Sequence, residues 1–487
     1  MKYGAKLMDS LQIFINQQSK NIYQMNLNLF FSYSFLIFIV QIGSSQVFDT
    51  LSFSEYLGYV KKYHPVVKQA NLVIIESEAQ LMKARGGFDP KIEINQGTKQ
   101  FEGTGYYDKL NSTFKIPTWY GVEFKGGFDR NSGAYLNPEL ENTTNGLYSA
   151  GITISAAKGL LINKRMATLK QAKLYKKQAE ADNQLLVNEI LYQASKAYFY
   201  WIKTFRERML YEVVLKNAQE RLEGIKRGFD LGEKPAIDIT EAQIAVSNRE
   251  LSLEKARLDF IKATFELSNF LWIESIPAEV KADIVPETEL NQSIDKTLNL
   301  SFMSTNQNLD NHPKLQSLDF KYKTLEVERR LKRNNLLPKI DLTYNFLNVT
   351  PEIFGAFNSA NYKAGVQLRF PLFLRQERAE LKLTNLKLQS INFERKATTL
   401  ELRNKLNSIE QQIKSYQRQI NISERIVEDF TKLFKGEERQ FDIGESSLFL
   451  VISRESQLLS SQLKLIDLEY TLLSIKGRLF NAFGIGL

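Results

Sequence analysis

The sequence has no cysteine among its 487 residues. That excludes disulfides, thiolate metal sites, thiol catalysis and a lipid-modified cysteine at a mature N-terminus. It has only two histidines, His64 and His312. Each stands before a proline at the matching place of an internal repeat, and both read as helix caps rather than as ligands. A nucleophile motif, a phosphate-cradling glycine loop and a metal-ligand cluster are all lacking; Gly86-Gly87 reads as a helix stop. Neither catalysis nor a cofactor is expected. The net charge is +9, with acids and bases mixed along the chain. No basic run is concentrated on one short element, which argues against a nucleic-acid partner. Beyond the N-terminal region no stretch is long and apolar enough for a membrane helix.

The exception at the N-terminus is residues 27–42, LNLFFSYSFLIFIVQI, followed by Gly43-Ser44-Ser45-Gln46. A short apolar run before small residues reads as a cleaved secretory signal over residues 1–46. A membrane anchor is the rival reading, and the run is short for a span of about 20 residues. Met25 is a candidate start, with the residues before it an upstream extension.

What the chain has in abundance is helix-forming sequence without proline. Residues 163–227 carry Lys, Gln, Ala, Leu and Glu and predict one unbroken helix about 95 Å long. It ends at Arg227-Gly228-Phe229-Asp230-Leu231-Gly232-Glu233, and a helix over 237–272 runs back. A second long helix, over 376–436, ends at Arg439-Gln440-Phe441-Asp442-Ile443-Gly444-Glu445. The two turns read almost alike. Residues 448–483 follow with a strict seven-residue pattern: Val451, Leu458, Leu465, Leu472 and Leu479 in one row, and Ile452, Leu459, Ile466, Leu473 and Phe480 in the next. Such a pattern implies helices wound around one another.

The repeat extends further. His64-Pro65 and His312-Pro313 each open a helix, and Pro90 and Pro338 lie 26 positions after their histidines. Alternating segments follow: Lys91 to Asn95 and Tyr148 to Ser155 in the first copy, Lys339 to Phe346 and Tyr362 to Phe370 in the second. The first copy carries about 34 extra residues, with two alternating runs, 111–116 and 122–128, around a Pro117-to-Gly121 turn. Residues 129–146 read as a loop. The extra hairpin is compatible with widening the sheet, plugging it or forming an external loop. The expected domains are a first repeat over 47–272 with an insertion at 103–146, a connector over 273–310 with Pro277 and Pro286, and a second repeat over 311–487.

In the second copy Ile340, Leu342, Tyr344, Phe346, Val366, Leu368 and Phe370 share one strand face. Asp341, Thr343, Asn345, Gln367 and Arg369 share the other. That suits an outer-membrane β-barrel with lipid outside and water inside; a half-buried soluble sheet has the same pattern. Two strands per copy give four per chain. Closed barrels start at about eight, so several chains must contribute, and three give twelve. Six strands per chain would give eighteen.

In its His-Pro helix starts, the Pro-Lys-Ile strand starts at Pro90 and Pro338, the strand end Phe370-Pro371-Leu372-Phe373, and the turns before Asp238-Ile239-Thr240-Glu241-Ala242-Gln243, the chain resembles the TolC-like outer-membrane efflux proteins. The resemblance covers residue 50 to the end. It implies a mainly α fold with a small β part: a trimeric 12-stranded outer-membrane barrel continued by a long α-helical coiled-coil barrel in the periplasm. It implies a homotrimer in outer-membrane lipid, acting as an efflux or type I secretion duct. A periplasmic adaptor would link it to an inner-membrane pump. The tip turns, with Gly232, Asp238, Gly444 and Ser446, are then the expected adaptor-docking region. Glu428, Asp429, Glu437 and Glu438 are candidates for an acidic gate, or for an ordinary solvated face, since Lys435 and Arg439 are interspersed. Trp119 suits either an interfacial aromatic belt or packing within its own turn. The alternative function is a periplasmic coiled-coil scaffold with a small soluble sheet.

Overall fold

The structure is a computed structural model and describes residues 50–140, 142, 145–281, 283–287, 291–300, 309–350 and 358–484. The signal-like segment 1–46 and the choice of start at Met25 lie outside them. Everything below concerns the unit from Phe48 onward.

Two short helices open it, α1 (Phe53–Tyr63) and α2 (Pro65–Arg85). Four strands follow: β1 (Lys91–Phe101), β2 (Thr104–Pro117), β3 (Val122–Ser132) and β4 (Leu147–Ser155). Then come the long α3 (Lys164–Asp230) and the returning α4 (Ala236–Ser268). After the connector, with its short α5 (Asn291–Thr297), the second half repeats the order: α6 (Pro313–Asn334), β5 (Lys339–Asn348), β6 (Tyr362–Arg369), α7 (Arg375–Asp442) and α8 (Leu448–Phe483).

The helix ends are fixed by the residues the sequence marks. Asn163 caps α3, its side-chain oxygen accepting from the Met166 N–H at 2.9 Å. His64 and His312 cap α2 and α6 alike: each Nδ1 accepts the backbone N–H two residues on, from Val66 at 3.2 Å and Lys314 at 3.1 Å. With proline at the first helical position, no backbone donor is lost there. Burial pushes both imidazoles below their ordinary pKa, so they are neutral, as an accepting Nδ1 requires.

α3 has 67 residues and α7 has 68, about 100 Å each at 1.5 Å per residue. Towards the tip turns the helices lie side by side in the order α4, α3, α8, α7; towards the sheet the order is α2, α3, α6, α7. The main core sits midway along the long helices. There α1 inserts Phe53, Tyr56 and Val60 against Tyr198, Phe199 and Trp201 of α3 and Phe480 of α8, all fully buried. Ile294 and Leu298 of the connector close this core. The Tyr198 hydroxyl donates to the Leu51 carbonyl at 2.6 Å, and burial raises its pKa well above the ordinary phenol value. Every member of the two seven-residue rows of α8 is buried or half-buried.

All six strands form one antiparallel sheet in the order β6-β5-β4-β3-β2-β1. This corrects the expected four strands per chain. β1 runs on to Phe101 and β3 to Ser132, so the hairpin β2–β3 joins the sheet instead of lying outside it. The expected loop begins four residues later than its sequence indicates, after Ser132: Asn131 is held in the strand, its side-chain amide donating to the Leu140 carbonyl at 3.2 Å.

Candidate functional site

The register gives the sheet its two faces. One row across all strands but β1 is Ile116, Phe124, Ile152, Tyr344 and Ala364; the neighbouring row on the same face is Ile92, Phe114, Gly126, Ala150, Phe346 and Tyr362. The row between them is Lys91, Lys115, Lys125, Gly151, Asn345 and Lys363. Because side chains alternate strictly along a strand, apolar and polar residues keep to opposite faces across both halves of the chain and into the inserted hairpin as far as Phe128; beyond it Arg130 and Asp108 fall on the apolar face. Among the described residues no covering layer shields the apolar face: Ile94 is 64% exposed, Phe124 51% and Val366 74%. The polar face is knitted by its own side chains. Glu93 pairs with Lys115, the Ser155 hydroxyl donates to Asp341 at 2.9 Å, and Lys339 reaches Asp341 at 2.8 Å. Gly151 has to be glycine, since a Cβ there would lie 2.0 Å from the Tyr344 carbonyl oxygen.

Trp119 packs at the root of the inserted hairpin. It stacks on Phe88 with ring centroids 5.4 Å apart, beside a small core of Ala84, Leu169 and Ala172. Packing within its turn is the reading the geometry supports.

At the far end of the long helices the two tip turns are built alike. Gly232 has φ +79° and Gly444 φ +82°, the left-handed conformation that glycine adopts at least cost. The Gly232 N–H donates to Phe229 O and the Glu233 N–H to Gly228 O; the Gly444 N–H donates to Phe441 O and the Glu445 N–H to Gln440 O. Asp238 sits half-exposed in the first turn of α4, favourably placed against the helix dipole. The Ser446 hydroxyl donates to Glu437.

The four candidate gate carboxylates do not converge within the chain. Glu428 and Asp429 are exposed and share Lys432 on their own helix, at 2.8 and 3.9 Å; the hydrogen bond from Lys432 holds the Glu428 pKa below its usual range. Glu437 and Glu438 turn the other way, towards Arg454 of α8 at 3.7 Å and Arg221 of α3 at 3.5 Å.

The group that sequence reasoning missed is Glu455 of α8. It is 3% exposed and lies between Arg221 of α3 at 3.0 Å and Arg249 of α4 at 3.6 Å. Arg249 also donates to the Ser456 hydroxyl at 2.8 Å. With Glu438, this cluster ties all four tip helices together. Glu455 falls in an ordinary polar position of α8, and only the meeting of three other helices buries it.

Residues 305–485 match the model of the outer membrane efflux protein family. No curated protein matches the sequence. Among solved structures the whole fold is similar to three bacterial outer-membrane proteins. The CmeC outer membrane channel of Campylobacter jejuni is 14% identical with TM-score 0.60, covering 89% of this chain and 85% of that one. The outer membrane protein VceC of Vibrio cholerae is 12% identical with TM-score 0.61, covering 88% and 95%. The MtrE outer membrane channel of Neisseria gonorrhoeae, in its open state, is 13% identical with TM-score 0.59, covering 89% and 89%. At these identities the likeness is one of fold.

Proposed function

We propose that this chain is one protomer of a homotrimeric exit duct in the outer membrane, with its long helices in the periplasm. It passes substrates that an inner-membrane pump delivers, for efflux or type I secretion, through a periplasmic adaptor that docks at the tip around Gly232, Asp238, Gly444 and Ser446. The observation that carries this reading is the two-faced sheet with both edges free. In a bilayer every backbone group must be paired, so a spanning sheet has to close. The free edges are β1 and β6, both fully exposed along their length.

The helices have matching free edges. Beside β1 lie α2 and α4, with Ile237, Ile244, Leu251, Leu258 and Phe265 of α4 exposed in a seven-residue row. Beside β6 lies α7, with Leu386, Phe393, Leu400, Ile426 and Leu433 exposed. The two edges are unlike, so copies associate head to tail, which forms a ring when the rotation between copies closes. Three copies bring eighteen strands rather than twelve. A soluble scaffold is disfavoured because its sheet would need a second layer over the apolar face.

The test is reconstitution. Purified protein is expected to run as a trimer in mild detergent and to conduct in planar bilayers. A monomer that partitions into the soluble periplasm and gives no conductance overturns the proposal.

A further inference from the structure

The polar face of the sheet carries more charge than its ion pairs consume. Three of its four acids are matched on that face: Glu93 by Lys115, Glu123 by Lys125 at 3.8 Å, and Asp341 by Lys339. The register places five further cations there, Lys91, Lys99, Lys109, Lys363 and Arg369, against one remaining acid, Asp129. None of the five makes an ion pair among the described residues. Lys99 and Lys109 instead lie over the rings of Tyr106 and Tyr107, at 4.3 and 4.4 Å from the centroids, and Arg369 donates to Gln367 at 3.0 Å. The surplus is four positive charges per chain. It lies on β1, β2 and β6, so in a ring of copies it recurs around the bore wherever β6 of one copy meets β1 of the next.

We infer that the barrel lumen selects for anions, and that solutes bearing carboxylate, sulfonate or phosphate groups are the class it passes most readily. This rests on the exit-duct reading, which makes the polar face the lumen wall. In a ring of three copies the cations recur three times at each level, and basic rings of that kind favour anion passage. Width limits the effect. Eighteen strands about 4.8 Å apart and tilted about 40° enclose a backbone radius of about 18 Å. Wall charge is screened over about 10 Å in 0.1 M salt but reaches about 30 Å in 0.01 M. Lysine side chains extend into the bore and shorten the gap, so the preference is strongest in dilute salt.

The experiment is the reversal potential of the full-length protein in planar bilayers under a KCl gradient of about 10 against 100 mM. The wild type is expected to favour chloride over potassium. The triple variant Lys99→Gln, Lys109→Gln, Lys363→Gln is expected to lower the chloride-to-potassium permeability ratio at least about two-fold, and the matching Lys→Arg triple to leave it within error. Potassium preference in the wild type, or a ratio unchanged by the glutamine triple, overturns the inference. Absence of any conductance in the wild type sinks the exit-duct reading instead. Acidic groups at the tip are untouched in every variant, so the shift between them reports the barrel alone.

Discussion

The two halves of the chain agree at the tip and differ in the wall. At the tip, Gly232 and Gly444 take the same conformation, and each turn closes with the same pair of backbone hydrogen bonds. In the wall the first half supplies four strands and the second two. The turn is a backbone solution and tolerates little variation: one residue more or less would misalign a helix of about 100 Å with its returning partner of about 50 Å. The wall is modular. Two added strands return the chain to the side from which it left, and the apolar face passes through them at Phe114, Ile116, Phe124 and Phe128. A single added strand would have left α3 starting at the opposite end of the sheet.

The comparison is tested hardest in the wall. On the exit-duct proposal, replacing Leu342 in the second half by Lys puts a charge on the lipid face, at a cost of about 2–4 kcal/mol near the bilayer midplane and less towards its rim. Phe124→Lys in the inserted hairpin is expected to do the same. Both variants should lose most of the detergent-stable trimer from the outer-membrane fraction. Loss in L342K alone would place the hairpin outside the lipid-facing wall.

At the tip the largest effect is expected from Glu455→Ala, which strands Arg221 and Arg249 without their shared partner. Breaking a buried pair costs about 3–5 kcal/mol. The expected outcome is faster protease cleavage in both tip turns, with the wall's trimer signal intact. Substituting alanine for Gly232 or for Gly444 should cost less, about 1–2 kcal/mol each, for a left-handed non-glycine residue. A Cβ meets nothing within 4 Å at either position, so the two losses should be equal in a thermal melt; unequal losses would show that the turns are alike only in outline.

The smallest effect concerns the two histidine caps. Burial depresses both pKa values in the folded chain, while the unfolded chain holds them near the ordinary value of about 6.5. Below that value the unfolded state binds more protons, so folding is favoured less. Stability from these caps is complete above about pH 6.5 and is lost as pH falls through the depressed folded values. His312→Asn and His64→Asn put a non-titrating capping oxygen in place of Nδ1 and are expected to flatten that dependence in melts between pH 7 and pH 5.

Helix boundaries were legible because they rest on local chemistry. Asn163, His64, His312 and Ser447 cap the helices they precede, and α8 spans the residues its seven-residue rows mark. Strand number was not legible. The hairpin runs 111–116 and 122–128 alternate, but alternation alone does not say whether a hairpin joins a sheet, and Lys99-Gln100-Phe101 is polar enough to pass for a loop. Each becomes a strand only because partners elsewhere supply its hydrogen bonds. The gate candidates show the same limit. Glu437 and Glu428 lie on one helix, yet neighbours set them to different tasks, and Glu455 gains its importance from α3 and α4 alone.

One join in the wall also sets a timetable. Strands β4 and β5 meet with the Thr153 and Thr343 hydroxyls 3.4 Å apart, across 190 positions of chain. Closing so long a loop costs about 4–5 kcal/mol before helix pairing shortens it. Strands β1 to β4 are therefore made well before their neighbour exists, with an apolar face open to water. Wall formation is a late event that waits for the second half of the chain, and until then the first half depends on something to hold it.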